Sequence, residues 1–564
     1  VARVLVEVTD LVEFLQRRES VSGVQRVIAE TVPLLGDATP IVLDRHRGVF
    51  VALTPDERAA LVDRGARLPD RAVTAAAATA CLARARSAPA VAVDEGTVIL
   101  FLGAVWINDA LMIAARSAHA AGARCVYLLY DLTPVLETGH TAAVNQLFDR
   151  YLRLITQTGS AVPAISRSSR ADYEEHCRRE GWTAPPGEAT GLPCGLGPDA
   201  LPDPEAGSSG DAPWPRPYAL LVGTVESRKN HLLALRAWER LLQDGHDVPD
   251  LVCIGRLGWN ANAFLREYVE TGGLGGRVSV LSGGVSDADL ARFYAHCRFT
   301  VYPSRYEGWG LPVSESLAFG KVPIVTRTSS LPEAGGDLAV YVPPDDADAL
   351  ADAVVRYGLD DAAREQREAL IRTQPLPAIT WEGVAGILED TARWAGEQEG
   401  RPVVFPSVEL GREYLLGTVP PPPDGGHADR YLTHLQGPAR TPLLGQSVAM
   451  RDHAVVDAAV TGEVGSPQAW GFEARPGRRL DLRITRPVDG PLVVLLATRS
   501  MPGVAVVEAA GPGGPVREEV YLGSVLTLPL GDGRAGEPAQ VSLTVVDATD
   551  SVEGFLGLRS FVVL

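Results

Sequence analysis

Two carboxylates and a basic pair are the residues of this chain best placed to do chemistry. Glu307 stands in a short loop with Gly308 and Gly310, and Glu315 follows with seven residues between the two acids. The loop joins an apolar, β-branched stretch at 299–302 to a predicted helix that carries Pro312 in its first turn and stops at Gly320. A helix N-terminus behind a glycine-bearing loop is a ready anion site, because its unpaired N–H groups and the helix dipole both favour negative charge. Arg228 and Lys229 close an earlier strand and stand just ahead of another helix. Cations at a helix start oppose the dipole unless an anion lies there, so an ordinary surface pair is the less favoured reading. Asp131 follows a strand that ends at Tyr130, at the carboxyl edge where open α/β sheets bind ligands, although it could equally cap the next turn.

The elements that must hold these residues alternate between strand and helix. Apolar runs at 2–8, 97–102, 125–130 and 162–165 read as strands of one parallel sheet. Those at 218–223, 251–255, 278–281, 299–302 and 322–326 read as strands of a second. Ser22-Gly23-Val24-Gln25 is a capping-box pattern before a helix whose apolar face includes Val24, Val27, Ile28 and Val32, with Pro33 ending or kinking it. Ser330-x-x-Glu333 is a second such pattern and explains both residues without a ligand. The helix at 168–180 is rich in both charge signs and reads as a solvated face. The Pro- and Gly-rich stretch at 198–217 is a linker, and the proline-rich 398–430 is another. From 431 to 564 the pattern changes to alternating strands with Gly- and Pro-bearing turns, an all-β sandwich.

Composition narrows the partners. A length of 564 residues predicts several domains with sizeable cores, and 46% hydrophobic with 22% charged residues is globular usage. A net charge of −18 argues against a nucleic-acid partner. No apolar run approaches the length of a membrane span, and the N-terminus shows no signal-peptide pattern. Six scattered cysteines, with no C-x-x-C pair and no histidine clustering, suit a reducing cytoplasm and give no zinc site.

The stretch 303–325, PSRYEGWGLPVSESLAFGKVPIV, continued by TSSLPE at 328–333 and GGDLAVYV at 335–342, resembles the E-x7-E signature region of retaining, nucleotide-sugar-dependent glycosyltransferases of family 4. The SGVQRVI opening at 22–28 is similar to that family's first loop. The resemblance covers about residues 1–397. It implies an α/β protein of GT-B fold, with two Rossmann-like domains facing a cleft, and leaves the β-sandwich unexplained. Residues 1–205 would form the acceptor-side domain, 206–217 a linker and 218–397 the donor domain with a last helix crossing back. The proline-rich linker at 398–430 and the sandwich at 431–564 would follow.

In the family's terms, Glu315 accepts hydrogen bonds from ribose hydroxyls, and the amides near Gly310 and Leu311 cradle phosphate. Arg228 and Lys229 neutralise the departing diphosphate without a metal, while Glu307 orients the transferred sugar. Gly23 would be a second phosphate-facing helix start, and Val285 would lie in the turn beside the base. On the acceptor side the family often has His-Asp where this chain has Tyr130-Asp131, and His140 is the nearest substitute; a lone loop histidine is more often solvated. The expected chemistry is front-face substitution, in which the leaving phosphate helps deprotonate the acceptor hydroxyl. The two glutamates are then no glycosidase-type acid/base couple. The expected partners are a nucleoside-diphosphate sugar and a glycan, lipid-linked glycan or small-molecule hydroxyl acceptor. No cofactor and no metal are expected, and the station would be cytoplasmic, with peripheral contact at the inner face of the membrane left open. The competing functions are a nucleotide-sugar epimerase or phosphorylase, and a non-catalytic glycan-binding protein.

Overall fold

A computed structural model describes residues 2–17, 23–45, 48–63, 71–137, 142–196, 212–283, 285–374 and 379–400. Beyond these it describes segments 413–415, 460–462, 472–474, 479–486, 488–498, 504–511, 513–520, 525–535, 537–549 and 556–563. Grouped by contact, the chain forms two units: residues 1–127, 140–162 and 391–564, and residues 128–139 and 163–390.

The first unit holds a six-stranded sheet. Its strands are β1 (Arg3–Glu7), β2 (Thr39–Asp44), β3 (Val49–Ala52), β4 (Thr97–Phe101), β5 (Arg124–Tyr127) and β6 (Gly159–Ala161), in spatial order β3-β2-β1-β4-β5-β6. All neighbours are parallel except the β2–β3 hairpin. β4, TVILF, is buried throughout, as a strand covered on both faces must be. Pro33 does end a helix: Val24–Thr31 is α-helical and Val32–Leu34 tightens into a 3₁₀ turn.

The second unit repeats the plan. β7 (Tyr218–Val222), β8 (Asp250–Ile254), β9 (Val278–Leu281), β10 (Phe299–Tyr302), β11 (Pro323–Thr326) and β12 (Val340–Val342) run parallel in the order β12-β11-β10-β7-β8-β9. Both sheets therefore have the 3-2-1-4-5-6 order of a Rossmann-like fold, in which strand order reverses between two central strands. In the second sheet that reversal lies between β7 and β10, whose registers pair Ala219 with Phe299 and Leu220 with Thr300. Against the sheet packs α1 (His231–Gln243), which buries Leu235 and Trp238 in a core that also includes Phe299, Val301 and Ile324. The Trp238 indole N–H satisfies itself on the Pro249 carbonyl at 2.8 Å.

The C-terminal region is all-β. Four antiparallel strands run Glu413–Leu415, Leu556–Val563, Leu492–Thr498 and Val525–Gly531, with Phe472–Ala474 also on Leu556–Val563. A second sheet orders Val460–Gly462, Arg479–Thr485, Pro538–Thr549, Val504–Ala510 and Val516–Val520. Leu526, Leu528 and Leu530 in the first sheet, and Ala539, Val541 and Leu543 in the second, are buried at every other residue. That is the one-face burial of a sandwich. No helix among the described residues is long and apolar enough to cross a membrane.

Candidate functional site

The residues singled out for chemistry in the second unit leave the sheet at its point of reversal. β7 runs into the 3₁₀ turn Ser227–Lys229, and β10 into the loop that carries Glu307. The Arg228 guanidinium lies 2.7 Å from Glu307 Oε2 through Nη1 and 2.7 Å from Glu226 Oε1 through Nη2, and Nη1 also donates to the Tyr306 carbonyl at 2.7 Å. Lys229 Nζ stands 2.7 Å from Glu307 Oε1, an ion-pair distance without hydrogen-bond alignment, and donates instead to the Tyr302 hydroxyl at 2.5 Å. It also sits 4.9 Å from the centre of the Tyr302 ring. Two cations and two carboxylates are thus packed in one place with side chains 7–14% exposed.

Burial and charge pull these groups in opposite directions. Burial alone would raise the Glu307 carboxyl, but the adjacent Arg228 and then Lys229 outweigh it and bring it down to about 2. Burial lowers Lys229, opposed by Glu307. Burial also acts to lower Arg228, but Glu307, Glu226 and Asp131 outweigh it and drive the guanidinium upward. His231, the first residue of α1, is pushed by burial and by Lys229 down to about 3, so it is neutral at physiological pH. The Arg228 guanidinium therefore stays charged beside an ionised Glu307, with no further cation from the histidine.

The helix after the loop, α2 (Leu311–Ala318), begins where the sequence places it, with Pro312 in its first turn. Gly310 caps it at φ +113°, and a Cβ there would lie 2.6 Å from Leu331 Cδ2, so only glycine fits. Among the described residues the Gly310 and Leu311 amides meet no acceptor. Glu315 is the fifth residue of α2, and its Oε2 accepts from the Tyr294 hydroxyl at 2.7 Å. The chain at Gly195 passes so close that a Cβ would stand 2.5 Å from Glu315 Oε1. Asp131 does cap its own turn, accepting from the Thr133 amide at 2.9 Å, and it also lies within electrostatic reach of Arg228. A Cβ on Gly308 would meet the Tyr130 carbonyl at 2.6 Å and Asp131 Cβ at 3.1 Å. Asp131 is therefore packed against the Glu307 loop. Val285 is half-buried beside the Tyr218, Phe293 and Tyr294 cluster. It is not among the partners of Arg228, Lys229 or Glu307.

Gly23 belongs to the first unit, exposed at the start of the helix Val24–Thr31 with φ +55°. Among the described residues no side chain caps that helix; Ser22, the expected cap, and His140 both lie outside the described residues. Gln25 instead donates to the Asp10 carboxylate at 3.0 and 3.2 Å, and the Ala104 amide donates to the same group at 3.0 Å. Asp10 thereby bridges the carboxyl ends of β1 and β4, where the first sheet reverses, and was not among the residues expected there.

The capping box expected at Ser330 and Glu333 does not form. Ser330 Oγ lies 2.8 Å from the carbonyls of both Glu307 and Trp309, and Glu333 reaches the amides of Arg167 and Ser168. Tertiary partners take both side chains from the local turn. Other residues of the site were not foreseen. Glu226 and Tyr302 hold the basic pair, and Glu137 is a half-buried carboxyl raised first by burial, with Arg305, Arg228, Asp345 and Glu307 close enough to act on it. Of the five non-glycine residues at positive φ among the described residues, Asn230, Ser329 and Asp345 surround this cluster. Such strain gathers at functional sites. Among the described residues no group of three or more His, Cys, Asp or Glu side chains is arranged to hold a metal ion.

The second unit is thus a doubly wound α/β body with a buried Arg–Lys–Glu cluster at its reversal point. Residues 209–374 match the family model described as glycosyl transferases group 1. Over 148 residues, 26% of this chain and 38% of the relative, the chain is 38% identical to the O-antigen chain mannosyltransferase B of Escherichia coli. Over 289 residues, 49% of this chain and 34% of the relative, the chain is 26% identical to the serotype-specific mannosyltransferase WbdA, also of Escherichia coli. The matches thus span little more than a third of those relatives' own length. Among solved structures, Anabaena HepE in complex with UDP and glucose aligns at 14% identity, covering 71% of this chain and all of that one, with a TM-score of 0.44.

Proposed function

We propose that the chain is a retaining glycosyltransferase that moves a sugar from a nucleoside diphosphate to a glycan hydroxyl, with the donor held by the second unit. The observation that carries this reading is the Arg228–Lys229–Glu307 cluster. It is built at the carboxyl ends of the two strands flanking the reversal, inside the stretch that matches the glycosyltransferase model. When the bond to the sugar breaks, charge grows on the departing diphosphate. Two cations already fixed in a dry site stabilise that charge with little reorganisation. Glu307 keeps both cations aimed at one place and remains ionised, so it can accept hydrogen bonds from the sugar. Gly310 and Leu311 offer free amides at the start of α2 for phosphate, and Glu315 presents a buried carboxylate for the ribose hydroxyls. Mannose is the favoured sugar, because the Escherichia coli relatives of this chain are mannosyltransferases, and a growing polysaccharide is the favoured acceptor.

The test is to incubate the chain with GDP-mannose, UDP-glucose and a mannoside acceptor, and to follow nucleoside-diphosphate release and the anomeric configuration of the product by NMR. An α-mannoside from the α-configured donor supports the reading. Inversion, or product without nucleotide release, removes it.

A further inference from the structure

The helix Arg167–Glu180 pairs Arg178 with Glu175 on its exposed side, as a solvated helix would, while the Arg170–Glu174 pair lies partly buried. Its N-terminus has a different task. Glu333 Oε2 accepts from the Arg167 amide at 2.9 Å and Oε1 from the Ser168 amide at 2.8 Å, with Arg167 Nε 3.2 Å from the same carboxylate. Two of the orphan amides that open any helix are thus satisfied by a side chain 165 residues away from Ser168, on the dipole's favourable end. The same helix touches the Glu307 loop directly. Ser169 Oγ donates to the Tyr130 carbonyl at 2.8 Å and stands 3.4 Å from that of Gly308, and Asp172 accepts from the Tyr306 hydroxyl at 2.7 Å.

Segment 329–333 grips that loop from its other side. Ser329, held at φ +43°, accepts from the Glu307 amide at 2.8 Å, and Ser330 faces the Glu307 and Trp309 carbonyls. A serine at positive φ is costly and persists where its surroundings fix it. Glu333 is the far anchor of this segment, four residues beyond Ser329.

We propose that Glu333 is a positioning residue: seated on the N-terminus of helix Arg167–Glu180, it fixes segment 329–333 so that Ser329 and Ser330 hold Glu307 where it meets Arg228 and Lys229. The inference rests on the transfer reading above. Glu333 itself touches none of Arg228, Lys229 or Glu307 and acts only through the segment. Small displacements of a reacting constellation cost up to about 10²-fold in rate, so a loosened anchor is felt in turnover.

The experiment uses the full chain with GDP-mannose as donor and compares wild type, Glu333→Gln, Ser329→Ala and the double variant. Glu333→Gln should lower kcat roughly tenfold with donor KM within about twofold, because alignment is lost and nucleotide contacts are not. The double variant should be no slower than the worse single one, since both cut one linkage. Glu333→Asp, which keeps the charge on a shorter stem, should restore part of the rate. Amide exchange at Glu307 should quicken in Glu333→Gln and in Ser329→Ala alike. Unchanged turnover in Glu333→Gln, or losses that multiply in the double variant, would overturn the proposal. A wild type that releases no nucleotide from any donor would sink the transfer reading instead. Exchange at Glu307 still decides the anchoring in that case, and an unchanged rate in Glu333→Gln overturns it.

Discussion

Lys229 and Glu307 depend on each other, and that dependence can be measured. Under the proposed transfer, Lys229→Ala would remove one of two cations facing the departing phosphate, whose charge grows as the bond breaks. The loss of one such preorganised donor is worth about 10²–10³ in kcat, while donor affinity should fall far less. Equal losses in kcat and affinity would place Lys229 in ground-state binding alone. Glu307 gives a pH signature. Its carboxyl is held at about 2 in the folded chain against an ordinary value of 4.5. A depressed acid contributes stability that is complete above about pH 4.5 and is lost as pH falls toward 2. Urea midpoints of wild type should therefore drop across that window. Glu307→Gln, less stable at neutral pH because Arg228 and Lys229 lose their partner, should show a shallower acid slope. Parallel curves for the two proteins would contradict the buried ion-pair cluster.

At the scale of elements, the unit β10–loop–α2–β11 shows how much was legible in the sequence and what was not. Its strands, the proline in the first turn of α2 and the stop at Gly320, with φ +66°, were all readable, because they follow from local rules about apolar runs, φ and missing N–H groups. The pairing of Glu307 with Arg228 and Lys229 joins residues nearly eighty positions apart, and composition alone could not bring them together. The order of the sheet does, by setting β7 beside β10. Ser330-x-x-Glu333 misled for the converse reason. The local pattern was sound, but Glu333 found two backbone amides on a distant helix, and Ser330 two carbonyls in the loop. Gly223 to Asn230 likewise hid the role of Glu226, since an acid two residues before Arg228 reads as surface until the loop folds it back. The glycine of the loop can be tested directly. Gly310→Ala must accept φ +113° and a contact with Leu331, which should cost about 1–3 kcal/mol of unfolding free energy by denaturant titration. A change below a few tenths would mean the turn relaxes freely.

For the whole molecule, the two sheets share one strand order, and each places polar residues at its own reversal: Asp10 with Gln25 in the first unit, the Arg–Lys–Glu cluster in the second. The all-β region groups with the first unit, outside the stretch 209–374 that matches the glycosyltransferase model. If Arg228 and Lys229 meet the diphosphate themselves, as proposed, transfer should keep nearly its full rate in excess EDTA. Abolition by chelator with recovery on adding magnesium or manganese would show that a metal shares that task. The central claim is that this cluster binds a nucleoside diphosphate, and calorimetric titration of GDP and UDP into the full chain tests it most directly. One of the two should bind at a single site, and Arg228→Ala should weaken that binding at least tenfold, in line with about 1.5–3 kcal/mol for a charge-assisted hydrogen bond. If neither nucleotide binds, or if Arg228→Ala binds as tightly as wild type, the cluster is not the donor site.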